Sequence, residues 1–293
     1  MNERYMVIHE PSALPPGTTD PGCIESFEGS GGRLLRYRVL ASRAARYHLL
    51  YLHGIESHSA WFLPAAASLR EFGCTTYLLD RRGSGLNMNP LPGDVSSARV
   101  LLEDVRRFRH QLGHLPMHLV GLSWGGKLAA AVAIDQPDAL QSLILIAPGL
   151  RYRTDLPFLT KASVLLSLLA GGRRRFKIPI EPEMFTHTPG FLDFIRTDPW
   201  RLQKVTARFL LTSRALDWMI ARRIANLNLP VLVFLAGKDP IIDNQGVSEI
   251  LATVKSQVRL QIFAEAIHAM QFDQMERLVR EIGTFVEEVE GRC

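Results

Sequence analysis

Ser123 stands in Gly121-Leu122-Ser123-Trp124-Gly125, between the apolar run Met117–Val120 and the stretch Gly126-Lys127-Leu128-Ala129-Ala130-Ala131. That succession predicts a strand, a sharp turn and a helix, with the serine at the bend. Gly121 and Gly125 leave room for strand and helix to close upon it. The helix N-terminus turns free N–H groups toward any negative charge that develops beside the serine. A serine hydroxyl is a useful nucleophile only when a base takes its proton, and a carboxylate must hold that base in the right tautomer. Two later apolar runs lead into candidates. Val231–Leu235 runs into Ala236-Gly237-Lys238-Asp239, and Val258–Phe263 runs into Ala264-Glu265-Ala266-Ile267-His268, the only histidine after His187. Asp239 is the first choice for the acid; Asp243, four residues further on, and Asp80, at another strand end, are the alternatives. The backbone N–H groups of Trp124 and of Ile55, in the loop His53-Gly54-Ile55, are expected to form an oxyanion hole. His53 reads as a structural side chain that ties loops together. The Trp124 ring either lines the substrate pocket or packs beneath a covering segment.

These residues need a frame. Cys23–Phe27 and Arg33–Leu40 flank a glycine-rich turn and predict a β-hairpin. Short apolar runs at Tyr47–Leu52, Thr75–Leu79, Met117–Leu122, Leu143–Ala147 and Val231–Leu235 have the length and composition of buried strands, and Val258–Phe263 reads as a closing strand. Helical spacing occupies the gaps at 60–72, 98–112, 124–133 and 275–289. Strands alternating with helices predict a mostly parallel sheet covered on both faces. Between the fourth and fifth of these strand–helix units, residues 150–229 carry helix-like stretches at 155–170 and 198–225 and no comparable strand series. The expected organisation is a core of residues 1–149 and 230–293, with 150–229 inserted as a helical cap.

Composition bounds the partners. With 293 residues, 47% hydrophobic and 22% charged, the chain is long enough to bury a large globular core. The longest apolar block outside the motifs, Ala162–Ala170, is about half of the roughly 20 residues a membrane span needs. Met1–Tyr5 lacks the basic start and apolar centre of an export signal. Cys23, Cys74 and Cys293 are too few and scattered for a disulfide framework or a zinc site, so a cytoplasmic setting is expected, with no metal and no organic cofactor. Net charge is +5, and Arg173-Arg174-Arg175 with Lys177 form the one dense basic run. No zinc-finger spacing or basic stripe with interleaved aromatics supports nucleic-acid binding. The apolar residues of 158–169 next to that run leave two readings open: packing within the cap, or cover for a lipid chain and contact with an anionic membrane surface.

His53-Gly54-Ile55-Glu56-Ser57-His58-Ser59, Leu79-Asp80-Arg81-Arg82-Gly83-Ser84-Gly85, Gly121 to Gly126 and the Asp239 and His268 loops occur in an order and spacing that resembles the monoacylglycerol lipase and lysophospholipase group of α/β-hydrolases. The resemblance covers nearly all of the chain outside the cap. It implies an α/β-hydrolase fold, a Ser123–Asp239–His268 triad and hydrolysis of carboxylic esters through an acyl-enzyme, beneath a mobile cap over an acyl-binding pocket. Two positions depart from the group's pattern: Leu122 stands where a histidine is usual, and Trp124 where Met or a small residue is usual. Acyl transfer, thioester or peptide cleavage on the same triad, and ligand binding with little turnover on the same scaffold, are the competing readings. An epoxide hydrolase or dehalogenase would carry an aspartate at the position of Ser123.

Overall fold

The computed structural model describes residues 14–113, 115–153 and 155–291; Met1–Tyr5 and Cys293 lie outside them. The strands are β1 (Cys23–Glu28), β2 (Leu34–Leu40), β3 (Tyr47–Leu52), β4 (Cys74–Leu79), β5 (His118–Leu122), β6 (Ser142–Ile146), β7 (Arg175–Lys177), β8 (Lys204–Thr206), β9 (Val231–Ala236) and β10 (Val258–Phe263). The α-helices are α1 (Leu63–Leu69), α2 (Ala98–Gln111), α3 (Trp124–Asp135), α4 (Phe158–Leu169), α5 (Pro189–Thr197), α6 (Ala207–Arg223), α7 (Asn244–Leu251), α8 (Met270–Asp273) and α9 (Met275–Glu290).

Eight strands form one sheet in the order β1-β2-β4-β3-β5-β6-β9-β10, in which β1 pairs antiparallel with β2 and β2 antiparallel with β4. All other pairs are parallel. Every residue of β4, β5, β6 and β9 is buried, which explains why these strands read as unbroken apolar runs rather than alternating ones: helices cover both faces. The register brings the strands to a common finish. Leu52 pairs with Leu79 and Gly121, Leu122 with Ile146, Ile146 with Phe234, and Ala236 with Phe263. The chain leaves β3 toward β4 and leaves β5 toward β6, in opposite directions along the sheet, so a crevice opens at their C-terminal ends.

The expected strands are all present, and differences lie in the helices. The helix expected over 60–72 is broken into α1 flanked by single 3-10 turns at Ser59–Phe62 and Arg70–Phe72, because Pro64 starts α1 and Gly73, at φ 74°, ends the last turn. The stretch 198–225 is helical only from Ala207, where the Thr206 hydroxyl accepts from Phe209 N and caps α6. Before that cap, β8 pairs with β7 in a two-stranded antiparallel sheet that three-residue strands are too short to announce. Helices α5, α7 and the short α8 lie outside the expected ones.

Strand β5 and helix α3 meet with no spare volume. A Cβ on Gly125 would overlap Leu52 O and lie 2.5 Å from His53 O, and one on Gly121 would lie 2.6 Å from Gly125 O. Backbone atoms of a central strand cannot step aside. Gly125→Ala is therefore expected to destabilise the protein by about 3 kcal/mol or more, read as a fall in the urea midpoint at unchanged slope.

Candidate active site

Ser123 is the first residue beyond β5 and the N-cap of α3, with φ 52° and ψ −121°, a backbone conformation that side-chain-bearing residues rarely adopt. Its own peptide groups hold it there. Ser123 N donates to Ile146 O at 2.9 Å, and Ser123 O accepts from Gly126 N at 2.8 Å and Gly149 N at 2.7 Å. Such a constraint, over-determined by neighbours, keeps the hydroxyl at the top of the sheet.

His268 follows β10 by five residues, and Asp239 follows β9 by three. His268 Nδ1 lies 2.8 Å from Asp239 Oδ2, with both side chains buried. Asp239 Oδ1 accepts from the N–H groups of Ile241 (2.8 Å) and Ile242 (2.9 Å). Burial works against ionisation of Asp239, yet His268 and these two backbone donors outweigh it and hold the carboxyl below the usual carboxylate range. A carboxylate at Oδ2 keeps the proton of His268 on Nδ1. Nε2 is thereby left as an acceptor, and this buried atom has no hydrogen-bond partner.

The two alternative acids are otherwise engaged. Asp243 caps α7, accepting from Gly246 N. Asp80 accepts from Ser59 N (2.6 Å), Ser59 Oγ (2.9 Å) and Leu86 N (2.9 Å), and so ties together the loops after β3 and β4.

Ser123 and His268 line one narrow cleft with Gly54, Ile55, Trp61 and Phe185. Its free volume of about 10 Å³ is room for about one water molecule. Four buried polar atoms in its lining are also unpartnered: Glu56 Oε1, Ser57 Oγ and both amide atoms of Gln271. Burial pushes the Glu56 carboxyl up to about 7, although Arg201 lies 2.7 Å from its Oε2. Sequence reasoning missed Trp61, Phe185 and Gln271. Gln271, three residues beyond His268 at the start of α8, was legible only as a neighbour of the base, and Phe185 carried no signal.

Ile55 lines the same cleft as Ser123, and Trp124 follows Ser123 directly as the first residue of α3. The Trp124 ring does not line the cleft: its Nε1 donates to Ser213 Oγ at 3.0 Å and its face packs on Phe209, with ring centroids 4.8 Å apart. His53 is buried, and burial together with the nearby Arg81 charge holds its pKa well below the ordinary value, so the ring is neutral. Its Nε2 accepts from Arg81 N, and Nδ1 donates to Gly54 O at 2.8 Å, the loop-tying role expected of it.

The insert between β6 and β9 packs on these loops. Asp198 bonds His58 Nε2 (3.0 Å) and Trp61 Nε1 (2.7 Å), Leu202 N donates to Glu56 O, and Lys127 of α3 forms an ion pair with Asp217 of α6 (2.7 Å). None of these partners had a sequence signal, since each joins positions far apart in the chain. Among the described residues no cluster of His, Cys, Asp and Glu has the geometry to hold a metal ion, and no helix is long and apolar enough to cross a membrane.

An eight-stranded sheet of this order, with a strained serine after β5 and an Asp–His pair after β9 and β10, defines an α/β-hydrolase. Residues 43–275 match the Hydrolase_4 family, described as serine aminopeptidase, S33, and the chain belongs to that family. It is 31% identical over 98 residues to the proline iminopeptidase of Clostridium botulinum, a match spanning 33% of each protein. It is 30% identical over 146 residues to the monoacylglycerol lipase ABHD6 of Homo sapiens, covering 46% of this chain and 39% of the relative. The chain thus spans less than half the length of these curated relatives. A soluble variant of the monoglyceride lipase from Saccharomyces cerevisiae superposes with a TM-score of 0.81 at 16% identity, over 94% of this chain and 99% of that one, which is a likeness of fold.

Proposed function

We propose that the protein hydrolyses carboxylic esters, with a monoester of a lipid type as substrate. The observation that carries this is the buried, unpartnered Nε2 of His268, facing the cleft that Ser123 lines while Nδ1 is bound to Asp239. Ser123 Oγ attacks the ester carbonyl as His268 Nε2 takes its proton, and the N–H groups of Ile55 and Trp124 hold the oxyanion. The C–O bond then breaks, His268 returns the proton to the leaving alcohol, and water repeats the sequence to release the acid. Residues 150–229 act as the cap. A cleft this small admits an acyl chain only when the cap moves.

Rates on p-nitrophenyl esters from acetate to palmitate test this reading. The expected result is turnover that rises with chain length; a preference for acetate would remove the lipid substrate. Cleavage of a proline p-nitroanilide with no turnover of any ester would favour a second reading, an aminopeptidase, which the family description and the Clostridium relative support.

The reading extends to contact with an anionic membrane. Helix α4 exposes Phe158 (82%), Leu159 (79%), Leu165 (61%), Leu166 (67%) and Leu169 (83%), positions that share one helix face, while Ser167 on the opposite face is buried. Leu211 and Trp218 of the adjoining α6 are also exposed, and the exposed Arg173, Arg174 and Arg175 follow α4 in the chain, whereas Lys161 on α4 pairs with Asp155. An apolar face with a basic rim suits an anionic bilayer, whereas in a two-fold pair of chains the same cations would face each other. Sedimentation with vesicles containing phosphatidylglycerol is expected to carry the protein down, and neutral vesicles to leave it in solution. Replacing Arg173, Arg174 and Arg175 together by Ala should weaken binding on the order of 100-fold, from about 1 kcal/mol per arginine. Equal binding by that variant, or a dimer that hides α4, would overturn this part of the reading. A cytoplasmic setting accords with the free thiols of Cys23 and Cys74.

A further inference from the structure

Arg81, on the turn after β4, is almost fully buried, and among the described residues it forms no ion pair. The adjacent carboxylate of Asp80 is committed to Ser59 and Leu86. Burying a guanidinium without a carboxylate is costly unless other groups replace its water. Backbone carbonyls, the His53 ring and aromatic faces do so here for the two terminal nitrogens, while Nε has no hydrogen-bond partner. Nη1 donates to Gly54 O at 2.9 Å and Nη2 to Ile55 O at 2.5 Å. On its other side the guanidinium carbon lies 5.1 Å from the ring centroid of Trp124 and 5.3 Å from that of Phe209.

We infer that Arg81 is a positioning residue that sets both donors of the oxyanion hole, Ile55 from behind its peptide and Trp124 from behind its ring. The inference rests on the assignment of those two N–H groups above. Gly54 C=O and Ile55 N–H belong to one peptide, and in a trans peptide they point in opposite directions. A donor that fixes the carbonyl on one side therefore aims the N–H on the other. Gly54 O accepts from a charged donor, Arg81 Nη1, and His53 Nδ1 lies 2.8 Å from the same oxygen and 2.9 Å from that Nη1. Such bonds polarise the peptide and strengthen its N–H as a donor. At Trp124 the ring packs against both Arg81 and Phe209, which also touch each other, with its indole N–H on Ser213, and this anchors the residue whose backbone N–H begins α3. Arg81 touches no substrate. Its positive charge nonetheless stays close behind the site where negative charge develops, in a region from which water is excluded.

The test compares Arg81→Met, which keeps length and loses charge, with Arg81→Lys, which keeps charge but cannot bridge two carbonyls in a fixed fork. Two readouts are taken on p-nitrophenyl butyrate: kcat and KM separately, and inhibition by a trifluoromethyl ketone, which adds to the serine and forms an oxyanion. Removing one oxyanion donor lowers kcat about 100-fold or more. Arg81→Met is expected to lose about that factor in kcat with KM within threefold, and to lose ketone affinity by a similar factor. Arg81→Lys should recover part of both together. A purely structural role would lower the folded fraction and leave the surviving molecules with native kcat and ketone affinity. If the Met variant does not fold, the Lys variant decides alone: kcat and ketone affinity within twofold of the wild type overturn the inference. Labelling of Ser123 by a fluorophosphonate in the wild-type protein tests the underlying assignment separately. Labelled wild type with fully active Arg81 variants sinks only the role of Arg81, whereas an unlabelled wild type sinks the serine mechanism beneath it.

Discussion

Ser123→Ala is expected to lower ester hydrolysis by roughly 10⁶-fold, the scale on which loss of the nucleophile removes a serine hydrolase's covalent route. The variant should remain folded. The four hydrogen bonds that hold residue 123 at φ 52°, one of them from Lys127 N, use its backbone N and O alone, and alanine meets the same steric limits there as serine. An unchanged thermal midpoint beside abolished p-nitrophenyl butyrate turnover and lost fluorophosphonate labelling is the predicted result. Turnover within tenfold of the wild type would refute the mechanism, because it would place the nucleophile elsewhere.

Asp239→Asn should cost about 10⁴-fold, as measured for the same exchange in a serine protease triad. The two N–H groups of Ile241 and Ile242 require an acceptor at Oδ1, so the amide oxygen must take that position. The amide NH₂ then faces His268 Nδ1 and forces it to accept. The ring proton moves to Nε2, where it blocks the base from taking the proton of Ser123. Asp243→Asn is expected to stay within about threefold in kcat, because asparagine serves as well as aspartate as the N-cap of α7. A larger loss at Asp243 than at Asp239 would reverse the assignment of the acid.

Much of this site was legible before folding was considered. Ser123 is marked by local steric need: only glycine fits at 121 and 125 where a strand and a helix close together, and the apolar runs around it read directly as the elements. Asp239 is marked by its place just after β9, which is buried on both faces and so reads as an unbroken apolar run, and His268 by its place just after β10, an edge strand in which apolar and polar residues alternate. Asp243 and Asp80 stayed open as alternatives because a carboxylate four residues away, or at another strand end, looks the same in sequence. Only the hydrogen bonds to Gly246 and to Ser59 and Leu86 tell them apart.

Residues 150–229 were harder to read for the same physical reason in reverse. Their partners are distant in the chain, so Asp198 on His58 and Trp61, Lys127 with Asp217, and the β7–β8 pair leave no periodic trace. The apolar residues of α4 could be counted but not oriented, since a helix face has a direction only relative to what it packs against; the fold turns that face outward. Arg81 looked like one of two adjacent arginines after a strand. Its burial against the Ile55 loop and the Trp124 ring exists only once β3, β4 and β5 lie side by side. The sequence by itself thus determined the bend at Ser123, the strands and the order in which Ser123, Asp239 and His268 follow them, because these depend on local sterics and on the apolar or alternating runs that mark each strand. Tertiary structure alone decided which carboxylate meets His268, what packs behind Ile55 and Trp124 and which way α4 faces, because each depends on contacts between segments far apart in the chain.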